Sequence, residues 1–437
     1  MKEYSMDRQI QSIVDYFTSN NTEERDFKVG AEFEHFILNK ETLETVHYGE
    51  KYGVAHTLEK LIDKGWHPEY NHGHILGLSK KDVNITLEPG AQFEVSIDAK
   101  ENIKDIERIY LDFLKDIIPI LEDKNQYLVS MGYHPVSKID NIPFIPKERY
   151  KHMSEYFSDK GVYAHNMMKG TASIQVAIDY SDEEDFKKKF RLANLLSPIL
   201  SLMFDNSPIF EENIYPNNIL RTDIWNKCDD DRSKIVSGAL DKEFGFKEYT
   251  EYILNTPPIL IKKDDEFLFV GDKLVKELFD PEQFTKEELE HIMTMFFPDV
   301  RAKGFIEIRM MDAVPYPLNL AGVALIKGIM YSNYNINELL NVFKGWNNNK
   351  IDRLKKEIIS DGFEANIEEL DIKELIDQVI DLAYEKLENE EKSYLEPLKE
   401  MVSHKKNPAI IVKKNIHKGL ENSLKCCILN NLSLEEN

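Results

Sequence analysis

Cysteine is scarce in this chain: Cys228, Cys426 and Cys427 are all that occur among 437 residues. Three such cysteines form no disulfide framework and no C-x-x-C site, and a reducing cytoplasm is the simplest setting for them. Long apolar runs are missing too. The longest uncharged one, Leu192–Phe204, has 13 residues and contains Pro198. That is too short to span a bilayer and reads as a buried helix. Near the start, Glu3, Asp7 and Arg8 stand where a secretory signal would need its apolar region. Positive charge is outnumbered, with 55 Lys and Arg against 78 Asp and Glu, a formal balance of −23. So acidic a surface argues against nucleic acid or an anionic membrane as partner. Anionic substrates stay open, because a few arginines and metal ions can invert the field inside a cleft. Several motifs are lacking as well. Without G-x-x-x-x-G-K-[ST] or a strand-linked G-x-G-x-x-G there is no support for a P-loop or a Rossmann nucleotide site. The absence of H-E-x-x-H and of any cysteine cluster argues against zinc, and the absence of G-x-S-x-G removes the serine-hydrolase signal.

What is present is 42% hydrophobic and 30% charged residues, the composition of a globular protein with room for one large core or two domains. Helical spacing covers residues 1–20, 55–64, 100–123, 244–254 and most of the chain beyond residue 318, in stretches 320–331, 336–344, 367–388 and 392–403. Capping boxes at Ser181/Glu184 and Thr285/Glu288 open two more helices, the first running to about Asn206 with a bend at Pro198, the second to Phe297. A hairpin is expected over Ile259–Val270, turning at Lys263-Asp264-Asp265. Residues 70–79 and the Pro-rich 135–150 read as loops, as do 206–218 and Gly345–Asn349. Weak strands interrupted by long helices fit an α+β class.

Four of those strands share one design. Leu87–Ile97 (LEPGAQFEVSI) alternates from Ala91 onward, with Gln92, Glu94 and Ser96 between apolar residues, and Glu88 and a Pro-Gly bend ahead of them. Lys28–Leu38 sets Glu32 and Glu34 opposite Phe33 and His35. Thr171–Tyr180 sets Thr171, Ser173, Gln175 and Asp179 opposite Ile174, Val176 and Ile178. Phe305–Met311 sets Glu307, Arg309 and Met311 opposite Ile306, Ile308 and Met310. Period two means one face in a core and one facing something polar. Buried acids are costly unless a cation compensates them. If the strands share a sheet, the acids converge on a cleft that needs Mg²⁺ or Mn²⁺, metals that take hard oxygen ligands. Several glutamate-held metals with an arginine beside them suit phosphoryl transfer. Glycoside hydrolysis needs only two carboxylates, and five acids with a clustered Gln and Arg are too many for it.

The blocks GAEFEHF (30–36), LEPGAQFEVS (87–96), PKERY (146–150), MKGTASIQVAIDY (168–180), RTDIW (221–225), DDDR (229–232), FGFKEYTEYIL (244–254) and FPDVRAKGFIEIR (297–309) resemble the glutamate–cysteine ligases of the plant and proteobacterial type. The resemblance spans roughly residues 28 to 330. It implies a glutamine-synthetase-like core, a curved, mainly antiparallel sheet funnel flanked by helices, over residues 1–335, with 336–437 as a helical region packed on it. The implied reaction joins the γ-carboxylate of L-glutamate to the amine of L-cysteine at the expense of ATP, through a γ-glutamyl phosphate, as the first step of glutathione biosynthesis. By motif, Glu32, Glu34, Glu88, Glu94, Gln175 and Glu307 resemble the family's metal ligands, where some relatives have His at the Gln175 position. Arg309 resembles the residue that stabilises the transferring phosphoryl group, and Glu94 joins it in the catalytic set. Arg149 and Arg221 resemble carboxylate clamps on loops. Met168, Thr171 and Ser173 would line the glutamate pocket, with Trp225 packed nearby. Arg301 lies in a matching block without a role. The plant enzymes' redox-regulatory cysteines have no evident counterparts here. The implied setting is cytoplasmic and the chain a monomer or homodimer.

Blander readings stand beside these. Thr171 and Ser173 can serve only backbone groups. His35 falls on the apolar side as a core histidine, His72 and His74 sit in a solvated turn, and the two terminal cysteines are ordinary thiols. Two competing functions follow. One is a γ-glutamyl ligase for another amine; the other is a silent regulatory relative, which would have little reason to keep a costly acid cluster.

Overall fold

A computed structural model describes residues 6–263, 266–368 and 370–433. Its centre is β1 (Val29–Asn39), the strand whose alternating pattern carries Glu32 and Glu34. The other strands are β2 (His67–Asn71), β3 (His74–Lys80), β4 (Val83–Leu87), β5 (Phe93–Lys100), β6 (Gln126–Val129), β7 (Ser173–Ile178), the short hairpin β8 (Ile209–Phe210) and β9 (Asn213–Ile214), the hairpin β10 (Ile259–Lys263) and β11 (Glu266–Gly271), and β12 (Val300–Ala302) with β13 (Ile306–Asp312). One antiparallel sheet runs β12-β13-β7-β1-β5-β4-β3-β2, and β6 pairs with the far end of β1. All four acidic strands lie side by side at its middle. The mixed helix and antiparallel-sheet class is therefore as expected.

Helices α1 (Met6–Ser19), α2 (Val54–Ile62), α3 (Ile103–Glu122), α4 (Glu148–Phe157), α5 (Ala164–Gly170), α6 (Glu183–Met203), α7 (Leu220–Trp225), α8 (Phe246–Leu254), α9 (Val275–Leu278), α10 (Lys286–Met293), α11 (Leu318–Met330), α12 (Asn333–Val342), α13 (Asn348–Asp361), α14 (Ile372–Lys386), α15 (Glu396–Ser403) and α16 (Pro408–Asn415) surround the sheet. The core lies under its apolar face. There Ala31, Phe33, Val95, Ile97, Val176 and Ile178 are buried, and α3, α6 and α11 pack on them. His35 joins that side, 1% exposed, with Nε2 2.8 Å from the Tyr110 hydroxyl. Burial pulls its pKa down to about 4, so it is a neutral core histidine. The opposite face is left for polar groups. No helix among the described residues is long and apolar enough to cross a membrane.

Several local expectations change. The stretch 70–79 is a strand hairpin, β2–β3, whose turn carries His72 and Gly73 at positive φ. Its His72 and His74 are exposed. Helix α6 is capped by Asp182, whose carboxylate accepts the Asp185 N–H, rather than by Ser181. It runs through Pro198 to Met203. The Thr285/Glu288 box closes reciprocally as read, but α10 ends at Met293. Residues 348–361 form α13, a helix the periodicity reading passes over, with Ile351, Leu354 and Ile358 buried. The Asp264-Asp265 turn lies outside the described residues. Within β13 the register slips between Ile308 and Met311, a bulge, so Met311 joins Ile308 in the core.

The Pro-Gly bend before β5 is held by one amide. Gln92, read as part of the polar face, spends its side chain on backbone: Oε1 accepts Gly90 N–H at 2.8 Å, and Nε2 donates to Met168 O at 3.2 Å and Thr171 O at 2.9 Å. Gly90 has to be glycine, since a Cβ there would lie 2.4 Å from Lys169 O. Gln92→Ala should therefore lower unfolding free energy by about 2 kcal/mol, three lost hydrogen bonds with partial compensation. Urea melts would check it, and a change under about 0.5 kcal/mol would show that the loop holds itself.

Candidate active site

Strand register puts the polar groups in touch. Glu34 stands directly across from Glu94, and Glu32 directly across from Gln175. Together with Glu88, Arg149, Met168, Thr171, Ser173, Arg221, Trp225 and Arg309 they line one cavity of about 310 Å³. A second cavity, about 240 Å³, continues over Gly30, Ala31, Ala99 and Ala177, and Glu32 and Gln175 line both. Glu307 lines that outer space. Every residue read as a site residue thus borders this connected hollow.

The acids divide into two groups. Glu307 is 1% exposed and surrounded by cations. Its Oε2 accepts from Arg301 Nε at 2.6 Å and Arg309 Nη1 at 2.9 Å, and Lys303 Nζ is 3.0 Å from Oε1. Against the cost of burial, these three cations hold Glu307 well below the usual carboxylate range. The remaining acids have no cation within ion-pair reach among the described residues. Glu34 Oε2 accepts Ser173 N–H at 2.7 Å and its Oε1 accepts Gln175 Nε2 at 3.0 Å. Glu94 Oε1 accepts from Thr86 Oγ1 at 2.7 Å. For Glu32, Glu34 and Glu94, burial and then repulsion from neighbouring acids push the affinity for protons up. Glu32 rises to about 8 beside Glu94 and Glu307, Glu34 to about 7 beside Glu88, and Glu94 to about 8 beside Glu88 and Glu34.

The six groups read as metal ligands share this wall without meeting at a point. Among the described residues no three His, Cys, Asp or Glu side chains stand close enough together to hold a metal ion. Gln175 Oε1 accepts from Arg309 Nη1, so its oxygen is already used. Thr171 Oγ1 donates to Met167 O at 2.7 Å, which closes α5. Ser173 gives its backbone N–H to Glu34.

Two of the arginines, Arg149 and Arg221, have most of their donors unspent. Arg149 and Arg221 sit on the first turns of α4 and α7, not on loops: each helix begins as soon as the chain passes Pro146 or the left-handed Ile219. Neither has an ion pair among the described residues. Arg149 Nη2 reaches only Met295 Sδ, at 3.4 Å, and its Nε has no partner. Arg221 is 5% exposed, lies 5.5 Å over the Trp225 ring, and gives one N–H to Arg309 O at 3.2 Å. Its Nε and the Trp225 indole N–H are buried without partners. Unsatisfied buried donors of this kind are built for an anionic ligand.

The profile of glutamate-cysteine ligase family 2 matches residues 28–419. The chain belongs to that family. The chloroplastic glutamate–cysteine ligase of Arabidopsis thaliana is 27% identical over 414 residues, covering 91% of this chain and 78% of the plant protein. The chloroplastic glutamate–cysteine ligase B of Oryza sativa subsp. japonica is 26% identical over 413 residues, 91% and 82% of the two chains. A solved glutamate–cysteine ligase of Francisella tularensis, in complex with AMP, superposes with a TM-score of 0.60 over 92% of this chain and 87% of that one. At 11% identity it speaks for the fold.

Some lining residues of this family member escape a sequence reading. Lys147, Tyr150, Arg301 and Lys303 all border the main cavity. Arg301 was readable in its block and stands on β12 directly across from Glu307, while Lys303 lies just past the end of that strand. Lys147 precedes Arg149 by two in the same block. Burial, then Arg149, pulls the Lys147 pKa down.

The raised acids make stability depend on pH. Folded Glu32 and Glu94 keep protons up to about pH 8, whereas their ordinary value is 4.5. In that window the folded chain binds more protons than the unfolded one, so stability is lost as pH rises through it. Thermal midpoints in chelator should fall across this range, and the fall should be shallower in Glu94→Gln. Equal slopes in the two proteins would mean that Glu94 does not carry the strain.

Proposed function

We propose that the chain joins the γ-carboxylate of L-glutamate to the amine of L-cysteine, using ATP, in the first step of glutathione biosynthesis. The observation that carries this reading is the meeting, across one cavity, of two guanidiniums without an ion pair and a wall of carboxylates without cations among the described residues. Residues 1–335 would form the catalytic unit and 336–437 a helical region behind it. Arg149 and Arg221 would fix a substrate carboxylate through paired N–H donors, with Trp225 supporting Arg221 from below. Met168 and the Thr171–Ser173 segment would close the glutamate pocket. ATP would enter from the outer space, where Gly30, Ala31, Ala99 and Ala177 leave a floor without bulky side chains.

Phosphoryl transfer from ATP to the γ-carboxylate gives an acyl phosphate and ADP. The amine then attacks the acyl carbon, phosphate leaves from the tetrahedral centre, and the amine's proton is lost. Arg309 would meet the charge on the transferring group, aimed by Gln175 and Glu307, which both hold its Nη1. Glu32, Glu34, Glu88 and Glu94 are oxygen donors without a cation of their own, the donor chemistry that Mg²⁺ or Mn²⁺ takes, although no three of them stand close enough together here to hold one, so the ion would have to draw them together. Gln175 and Glu307 are the remaining donors of the wall. When bound, the metal supplies neutralisation of phosphate charge, and it would also relieve the repulsion among these acids.

Incubation with ATP, Mg²⁺ and L-glutamate, varying the amine and following ADP and product mass, tests the reading. Product with L-cysteine far above other amines is expected, as is loss of turnover in chelator with recovery in Mg²⁺. Product with a different amine alone would assign another acceptor, and no ADP with any amine would sink the ligase reading. Arg309→Ala and Glu94→Gln should each cut turnover by roughly 10²–10³ while the fold persists. Near-normal rates in either would place the chemistry elsewhere.

A further inference from the structure

Behind the Arg221 and Arg309 guanidiniums lies a group that the mechanism does not use. Asp299, just ahead of β12, borders a gap of about 20 Å³ together with Arg221, Trp225 and Arg309. Its Oδ2 accepts from Ser197 Oγ on α6 and lies 2.5 Å from Lys355 Nζ on α13. The Lys355 side chain is 3% exposed and makes no other ion pair among the described residues. A buried lysine is thus committed to this one carboxylate.

The same residue holds the bulge of β13. The slip between Ile308 and Met311 takes Arg309 off the β7 ladder. Its N–H donates instead to Asp299 O at 3.1 Å, and its C=O accepts from Arg221. Helix α13 grips the other arginine's segment as well: Asn218 N–H, two residues ahead of α7, donates to Ile359 O at 2.9 Å. Both arginine-bearing segments are therefore tied to one helix of the C-terminal region.

We infer that Lys355 is a positioning residue, whose ion pair with Asp299 keeps that carboxylate from drawing the Arg221 and Arg309 guanidiniums away from the anionic groups of the substrates. This rests on the functional reading above for what those groups are. Without Lys355, a bare buried carboxylate would stand behind two guanidiniums. Leaving such a charge unpaired is costly, and turning Arg221 back toward Asp299 would remove the cost at the expense of substrate binding.

Lys355→Met and the double variant Lys355→Met/Asp299→Asn test this, with glutamate KM, kcat and thermal midpoint read for each. The single variant should raise glutamate KM about tenfold or more, and the double variant, which removes both charges and keeps an acceptor for Ser197, should return it to within about threefold of wild type. A purely structural role would lower the midpoint of both without that reversal. An unchanged KM in the single variant, or an equally raised one in the double, overturns the inference. If the single variant does not fold, the double decides alone, since a KM far above wild type there contradicts charge balance. Emission in a Trp346→Phe background, where only Trp225 and the buried Trp66 remain, reads the same event without substrate when taken as the difference from the same spectrum of a Trp225→Phe/Trp346→Phe control: that difference should shift in the single variant and revert in the double. That pattern in a protein without ligase activity would overturn the functional reading and leave this inference standing, whereas no shift would overturn the inference itself.

Discussion

A buried carboxylate shared by three cations sets the terms for this sheet. Glu307, with Arg301, Lys303 and Arg309 around it, is an ionised acid deep in the protein, and such a group is tolerable only when paired and hydrogen-bonded. Glu307 and Gln175 both accept from Arg309 Nη1, which fixes that end of the guanidinium. Gln175 in turn donates to Glu34, and Glu34 holds the backbone of Ser173. A continuous chain of contacts thus runs from the β12 edge to β1. It supplies the rigidity that a transition-state charge requires, donors fixed before the reaction begins.

Past Gln175 compensation stops. Glu34 and Glu94 face each other across adjacent strands, the pairing that like charges disfavour. The contrast lies within one sheet face: an over-neutralised edge beside an under-neutralised middle. A fold selected for stability alone would spread Lys303 and Arg301 toward Glu32. Their concentration on Glu307 leaves the middle dependent on a cation or on protons, the local inconsistency that marks a functional site.

Much of this was legible in the sequence because period two survives wherever one face of a strand is buried. That period placed Glu32 and Glu34 opposite Phe33 and His35, whereas Arg301 on β12 and Lys303 just past it reach Glu307 through hairpin pairing, which the period of one strand does not show. Gln92 shows where periodicity misleads. It keeps the parity of the acids, yet it precedes β5 in a bend where local backbone groups compete for its amide. The β13 bulge is likewise invisible: one extra residue between Ile308 and Met311 leaves composition and spacing unchanged and flips Met311 into the core. Helices α4 and α7 were missed for a related reason. Helix α7, six residues long, has too few turns to show a 3.6 period, whereas α4 carries it at Tyr150, Met153 and Tyr156 but follows directly on a proline-rich stretch that reads as loop. The fold and reaction class named for the whole came from block resemblance, which carries information about chemistry that spacing does not.

The acidity of the chain and the work of the site pull in opposite directions. A balance of −23 repels nucleotide and glutamate alike. Attraction therefore has to be local, and cations satisfied by nearby acids cannot supply it. Arg309 is half-spent on Glu307, and Arg301 wholly so. Arg149 and Arg221 remain without ion pairs, and one acid behind Arg221, Asp299, is already taken by Lys355. In a protein with 23 more acids than bases, keeping a buried arginine unpaired takes as much arrangement as keeping a buried acid paired. The helix that provides Lys355 lies outside the blocks that carry the resemblance. That gives the C-terminal region a physical reason to be attached to the sheet.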